Sequence, residues 1–160
     1  MNRLAIVDID GVVCNSEERF ARCTTDGKVN WNLALSSQYV HLDVVIPGAV
    51  EALEKLERRY TLVFLTNRPS NPMRSCTVEW LYTHGVALAR LEMKPASEQR
   101  TKTKAWKARR VGELVGEYRA TDILLIEDEP ANADEIIARN TGLPIVWFES
   151  LSAAVAAKGE

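Results

Sequence analysis

At 160 residues, the chain is long enough to bury a full core and has the size of one domain, 1–160; no Pro/Gly/Ser-rich linker or charge block divides it. Twenty Lys and Arg against 22 Asp and Glu leave a formal charge of −2, which excludes a molecule-wide electrostatic footprint for DNA or membrane, so any polyanion site must be local. No apolar run approaches the ~18–20 residues of a membrane span and the N-terminus lacks a charged, apolar leader, so a cytoplasmic protein without a membrane partner is expected.

In chain order, the first apolar run covers residues 4–7 and opens into Asp8-Ile9-Asp10-Gly11. Residues two apart on a strand share a face, which places Asp8 and Asp10 in one small volume where they repel unless a cation or proton lies between them. Residues 12–46 have no clear period and carry turn formers including Asp26-Gly27; a short helix around Trp31, Leu35 and Tyr39 fits. This segment is expected to fold over the end of the first strand as a small lid or cap. Val50, Leu53 and Leu56 recur at helical spacing after Pro47-Gly48. Residues 61–65 read as a strand that ends in Thr66-Asn67-Arg68-Pro69, and Cys76, Trp80 and His84 mark a helix that Gly85 terminates. A weaker strand covers 87–93. Val111, Leu114, Val115 and Tyr118 follow i, i+3, i+4, i+7, a strand at 123–126 runs into Glu127-Asp128-Glu129, and Ala133, Ile136, Ile137 and Asn140 nearly repeat the helical spacing. Residues 145–148 form a last strand. Cys14, Cys23 and Cys76 are odd in number and lack CxxC spacing, so reduced thiols are expected and a zinc site is not.

Strands and helices alternating at these lengths imply right-handed βαβ units: an α/β, Rossmann-like parallel sheet flanked by helices. Ligands bind such sheets beyond the carboxyl ends of the strands. Three strand ends bring Asp8 and Asp10, then Thr66, Asn67 and Arg68, then Glu127, Asp128 and Glu129 to one rim. Carboxylates without a His or Cys cluster suit a hard divalent cation, of which Mg²⁺ fits best. Arg68 is expected to hold a phosphate bidentately.

These residues resemble the motifs of haloacid-dehalogenase (HAD) superfamily phosphatases. In that family a strand ends in Asp-x-Asp-Gly, as Asp8-Ile-Asp10-Gly11 does here. The resemblance implies that Asp8 is the nucleophile forming an aspartyl-phosphate, and that Asp10 is the general acid and then base. Leu62-Val63-Phe64-Leu65-Thr66 matches the second motif, with Thr66 bonding the phosphoryl group and Asn67 and Arg68 on the substrate. The third motif is a lysine near the start of a later helix; Lys102, Lys104 and Lys107 are candidates, Lys107 being preferred and Lys104 held in reserve. Glu127-Asp128 matches the acidic fourth motif. A Mg²⁺ held by Asp8, Asp10, Asp128 and Glu127 is implied. Asp10 implies phosphatase rather than dehalogenase chemistry.

More of the chain resembles the phosphatase domain of polynucleotide kinase/phosphatases: Trp31-Asn32, Asp43-Val-Val-Ile-Pro47-Gly48, Thr66-Asn-Arg68-Pro69, Thr77-Val-Glu-Trp80-Leu81, His84-Gly85 and Leu91-Glu-Met93-Lys94-Pro95. Lys94 stands where those relatives commonly carry Arg, and no Walker loop of a kinase partner is present. The resemblance implies a phosphorylated substrate, either the 3′-phosphate of nucleic-acid ends or, as an alternative, free nucleoside monophosphates. The contrasting class is a catalytically idle module that binds phosphate or a protein. Arg100, Lys102, Lys104, Lys107, Arg109 and Arg110 crowd around Trp106. They read either as a phosphate-tracking patch with Trp106 stacking on a base, or as a solvated helix face with Trp106 in the core. Trp80 and Trp147 are expected in the core and His84 at a helix end, while Trp31 is open between packing and stacking on a base.

Overall fold

The structure, a computed structural model, describes residues 2–87 and 89–158. Leu88, part of the expected strand 87–93, lies outside the described residues. The chain runs β1 (Arg3–Val7), β2 (Cys14–Asn15), α1 (Glu17–Arg22), β3 (Thr24–Thr25), β4 (Lys28–Val29), α2 (Trp31–Ala34), a 3₁₀ helix (Ser37–Leu42), β5 (Val44–Val45) and α3 (Ala49–Glu57). It continues with β6 (Thr61–Pro69), α4 (Ser70–Thr83), β7 (Arg90–Lys94), α5 (Thr103–Tyr118), β8 (Asp122–Ile126), α6 (Pro130–Arg139), β9 (Ile145–Phe148) and α7 (Leu151–Lys158).

Five strands form one parallel sheet in the order β7-β6-β1-β8-β9. The near-continuous apolar runs follow from burial on both faces. Ala5, Val7, Leu62, Phe64, Leu124 and Ile126 pack with residues of α3, α4 and α7, while Leu4, Ile6, Val63, Leu65, Ile123 and Leu125 pack with Trp106, Val111 and Leu114 of α5 and Ala133 and Ile136 of α6. From β1 the chain builds β6 and β7 on one side and then β8 and β9 on the other, so the order reverses at β1. A crevice opens at the carboxyl end of the strand where the order reverses, and there the sequence carries Asp8 and Asp10.

The α/β reading and all five strands agree with the sequence, with the strand expected at 87–93 observed at Arg90–Lys94. Gly85 follows the end of α4, with the Val86 N–H donating to the Leu81 carbonyl across it. His84 closes that helix and stacks on Trp80. Trp106 is buried in the core, which settles it as packing. Trp147 is only half-buried, its indole N–H bound to the Glu127 carbonyl, and Ile137 is exposed on α6. All three cysteines are free thiols.

Residues 12–46 are less irregular than their sequence implied. Val12, Val13 and Cys14 belong to the main core, and β2 pairs antiparallel with β5, tying the two ends of the segment together. Between them lie α1, the β3–β4 hairpin, α2 and the 3₁₀ helix. Asp26 and Gly27 form the hairpin turn with φ of 50° and 72°, the left-handed pair that a two-residue turn demands. Among the described residues no helix is long and apolar enough to cross a membrane.

Candidate active site

Asp8 is the first residue past β1. Its N–H still donates to the Ile126 carbonyl at 2.9 Å, and its Oδ1 accepts from the Ile9 N–H at 2.8 Å. Lys107 reaches it from α5. Because Lys107 lies on the helical face that buries Val111 and Leu114, its ammonium is delivered beneath the strand ends, where Nζ lies 2.9 Å from Asp8 Oδ2 and 2.6 Å from Glu127 Oε2. Lys102 and Lys104 are exposed, so Lys107 is the lysine that touches Asp8. Burial opposes a charged lysine, but the Asp8 and Glu127 carboxylates outweigh it and hold the ammonium above its ordinary range. Burial pushes the Asp8 carboxyl up, to about 8, against the pull of Lys107 and with a further push from Glu127.

Glu127 and Asp128 follow β8 directly but differ in surroundings. Glu127 is buried, with Oε1 accepting from the Glu129 N–H and the Asn132 amide and Oε2 from Lys107. Its hydrogen bonds hold Lys107 in place. Asp128 is exposed, and its carboxylate lies over Gly11. Burial, then Glu127, push the Asp128 carboxyl above its usual range.

Carboxylate oxygens of Asp8, Glu127 and Asp128 lie within 4.8 Å of one another. Among the described residues Lys107 pairs with two of these acids, Asp8 and Glu127. An all-oxygen set with one exposed member fits a hard divalent cation. A Cβ at Gly11 would lie 1.9 Å from Asp128 Oδ2, and Gly11 has φ +82°. Gly11→Ala is therefore expected to cost about 1–2 kcal/mol from the left-handed backbone alone and to drive Asp128 out of the acidic group. Thermal melts with and without Mg²⁺ check this: the native protein should melt higher with the ion and Gly11→Ala should show little rise. An equal rise in both would remove Asp128 from the cation site.

Asp10 is not one of the three carboxylates that lie within 4.8 Å of one another. Strand pairing of β1 ends at Val7 and the chain turns at Gly11, and Asp10 takes partners different from those of Asp8. Asp10 Oδ1 accepts from Ser16 Oγ and Arg19 Nη2, both at 2.6 Å, and from Arg68 Nη2 at 2.7 Å, while Oδ2 accepts from Arg68 Nε at 2.9 Å. Burial alone would raise the Asp10 carboxyl, but Arg68, Arg19 and Ser16 outweigh it and hold it well below the usual carboxylate range.

Arg68, expected on substrate phosphate, is committed elsewhere. Besides Asp10 it donates to Asp43 Oδ2 at 2.7 Å and to Thr77 Oγ1 at 3.2 Å, and its side chain is 0% exposed. Its fork fits carboxylates as well as phosphates, and two carboxylates reach it first. Asp43 is shared with Arg19, whose Nε donates at 2.9 Å and whose Nη1 donates to the Ala34 carbonyl. The Trp80 indole anchors Asp43 through its carbonyl at 3.1 Å. Burial, opposed by Arg68 and Arg19, raises the Asp43 carboxyl. Cys14 lies against this cluster as a buried thiol pushed up to about 12, chiefly by burial. Thr66 is buried with its hydroxyl accepting from the Arg68 N–H at 3.2 Å, and Asn67 Oδ1 accepts from Thr103 at the start of α5.

Sequence reasoning missed Ser16, Arg19 and Asp43 as parts of the site. Arg19 sits in a six-residue helix among Glu17, Glu18 and Arg22, a pattern indistinguishable from a solvated turn, and Asp43 carried a signal only through its place in a resembling stretch. The basic cluster also divides. Lys107 is internal, Arg109 pairs with Glu98 and Glu113, and Arg110 pairs with Glu92, Glu113 and Glu117. Arg100, Lys102 and Lys104 are left on the surface. Lys94 is buried at the end of β7, donating to the Thr101 carbonyl, and burial lowers its proton affinity. A cleft of about 400 Å³ is lined by Asp10, Gly11, Asn15, Phe20, Ile46 and Asp128 among others.

No family model matches the chain, and no curated protein matches it. Among solved structures it is similar to a chain of the Pnkp1/Rnl/Hen1 RNA repair complex, at 18% identity and a TM-score of 0.64 over 92% of this chain and 42% of that one. The chain thus spans less than half the length of that protein. It is also similar to a HAD-superfamily hydrolase, subfamily IA, from Geobacter sulfurreducens PCA, at 18% identity and TM-score 0.63 over 94% of this chain and 91% of that one. A Had-superfamily hydrolase from Ehrlichia chaffeensis matches at 14% identity and TM-score 0.62 over 98% and 97% of the two chains. Agreement over nearly the whole of both chains with these two hydrolases shows that this chain has the fold of the HAD-superfamily hydrolases.

Proposed function

We propose that the protein is a Mg²⁺-dependent phosphomonoesterase that works through an aspartyl-phosphate on Asp8. The observation that carries this reading is the placement of Asp8 at the switch point of the sheet, 2.9 Å from Lys107 and grouped with Glu127 and Asp128. Asp8, Asp128 and, behind them, Glu127 would hold the cation, which supplies charge neutralisation to the transferring phosphoryl group when bound.

An Asp8 carboxylate oxygen attacks phosphorus, the P–O bond to the ester oxygen breaks, and the leaving oxygen takes its proton from Asp10. Water then attacks the acyl phosphate, giving its proton to Asp10 and releasing phosphate and free Asp8. Asp10 rests ionised between Arg19 and Arg68; an anionic phosphoryl group beside it raises its proton affinity, so proton uptake waits on substrate. Lys107 orients Asp8 and offsets its charge, and Thr66 is assigned to the phosphoryl oxygens.

The substrate proposed is a 3′-phosphate at a nucleic-acid end. Support comes from the likeness to a protein of an RNA repair complex and from Arg100, Lys102 and Lys104 on the surface just ahead of Lys107. Free nucleoside monophosphates are the alternative. Incubation with 3′- and 5′-phosphorylated oligonucleotides and a panel of mononucleotides, with Mg²⁺ or with chelator, tests both. Phosphate release from the 3′-phosphorylated oligonucleotide is expected with Mg²⁺ and none with chelator, and Asp128→Asn should demand more Mg²⁺. Faster release from mononucleotides would replace the first substrate by the second. Silence on every substrate would leave an idle binding module.

A further inference from the structure

Trp31, on the four-residue helix α2, is 58% exposed, so most of its apolar surface is uncovered. Single exposed apolar residues are ordinary; the position of this one is not. Its ring meets Phe20 with centroids 5.8 Å apart and planes at 65°, and Phe20 lines the same cleft as Asp10 and Asp128. Phe20 and the helix that carries Trp31 are anchored. The Arg19 guanidinium lies 5.0 Å from the Phe20 centroid while bonded to Asp10 and Asp43, and the Asn30 side chain caps α2 by accepting from the Leu33 N–H. The two aromatic planes make a corner beside the cleft: a flat group laid on one ring meets the other at its edge, the two arrangements aromatic systems favour. Among the described residues that line it, the cleft offers acids and small polar groups and no cationic side chain, so affinity beyond what a bound cation gives the phosphate falls to the non-phosphate portion.

We propose that Phe20 and Trp31 form the platform on which the nucleobase next to the scissile phosphate stacks, so that the enzyme selects phosphomonoesters carried by a nucleoside. This rests on the phosphatase reading above and adds what the ester bears. Aromatic stacking of a base is tolerant of sequence, and preference for a base without preference among bases is the expected behaviour. A free nucleotide and a strand end present the same base; Arg100, Lys102 and Lys104, which have no carboxylate partner among the described residues, favour the strand.

The test compares a 3′-phosphorylated oligonucleotide with the same oligonucleotide ending in an abasic 3′-phosphorylated residue, alongside a nucleoside 3′-monophosphate. In Trp31→Ala the preference for the base-bearing over the abasic end should fall about tenfold, read in KM, and Trp31→Phe should keep most of it. An unchanged ratio in Trp31→Ala overturns the platform while leaving the phosphatase intact. Binding gives a second readout that needs no turnover. Oligonucleotide should quench the tryptophan fluorescence of the Asp8→Asn protein, and Trp31→Phe in that background should abolish the quench. Quenching without hydrolysis of any substrate by the native protein would retain the platform and remove the phosphatase; a quench that survives Trp31→Phe would remove the platform. A larger Trp31 effect on the strand than on the monophosphate would identify the strand end as the occupant.

Discussion

Asp8→Asn is expected to lower phosphate release about a thousandfold or more, since losing the nucleophile disables the other members of a site that act only through it. The same substitution should leave the melting temperature unchanged or higher. Asp8 is a buried carboxylate whose burial and proximity to Glu127 push its proton affinity upward, so it sits in the folded protein at a cost that a neutral amide of the same shape avoids. Lys107 keeps Glu127 as its partner at 2.6 Å. Steady-state phosphate assays and thermal melts of one preparation check both halves. Full turnover in Asp8→Asn would sink the covalent mechanism; a collapse of the melting temperature would mean that the charge, not the chemistry, is what Asp8 provides.

The largest stability effect is expected at Asp43. Its carboxylate and the Arg19 and Arg68 side chains it bridges are all 0% exposed, so Asp43→Ala strips two buried guanidiniums of a shared counter-charge. Breaking a buried pair from one side costs about 3–5 kcal/mol, which for a chain of this size lowers the melting temperature by roughly 10 °C. The double variant Arg19→Met/Asp43→Leu, which removes a charge of each sign, should melt above Asp43→Ala, because a matched apolar replacement is often nearly neutral. Activity should fall in both, as Arg68 and Arg19 also fix Asp10. A double variant no more stable than Asp43→Ala would show that packing around Trp80 and Ala34, rather than charge, sets the cost.

The architecture was legible because its periods are clean. Strand residues buried on both faces read as apolar runs, and Leu53, Leu56, Val111 and Leu114 marked their helices by spacing alone. The acidic group was legible for the same reason: Asp8, Glu127 and Asp128 lie just past the ends of strands the sequence displays. What it hid lies where regular structure stops. Asp8 and Asp10 look equivalent only while the strand continues, and one turn at Gly11 sends them to different partners. Arg19 and Asp43 are 24 residues apart in the chain and meet only because β2 and β5 close the segment between them. Arg68 showed what a guanidinium can hold, but the choice between a phosphate and two carboxylates depends on neighbours that no local pattern contains. Trp106 followed the helical period into the core, and its basic neighbours then divided according to the nearest glutamates.

The β2–β5 pairing has a consequence for how such a protein changes over time. Because β2 and β5 pair side by side in a small sheet of their own, the stretch between Asn15 and Val44 is free to be lengthened, shortened or exchanged at little entropic expense to the five strands. Yet that stretch contributes Ser16 and Arg19, which hold Asp10, and Asp43, which holds Arg19, together with Phe20 in the lining of the cleft and Trp31 against it. A replacement segment would thus alter at one stroke which molecules enter and how readily a proton is delivered to them, so new specificity and new proton-transfer behaviour are inherited as one unit.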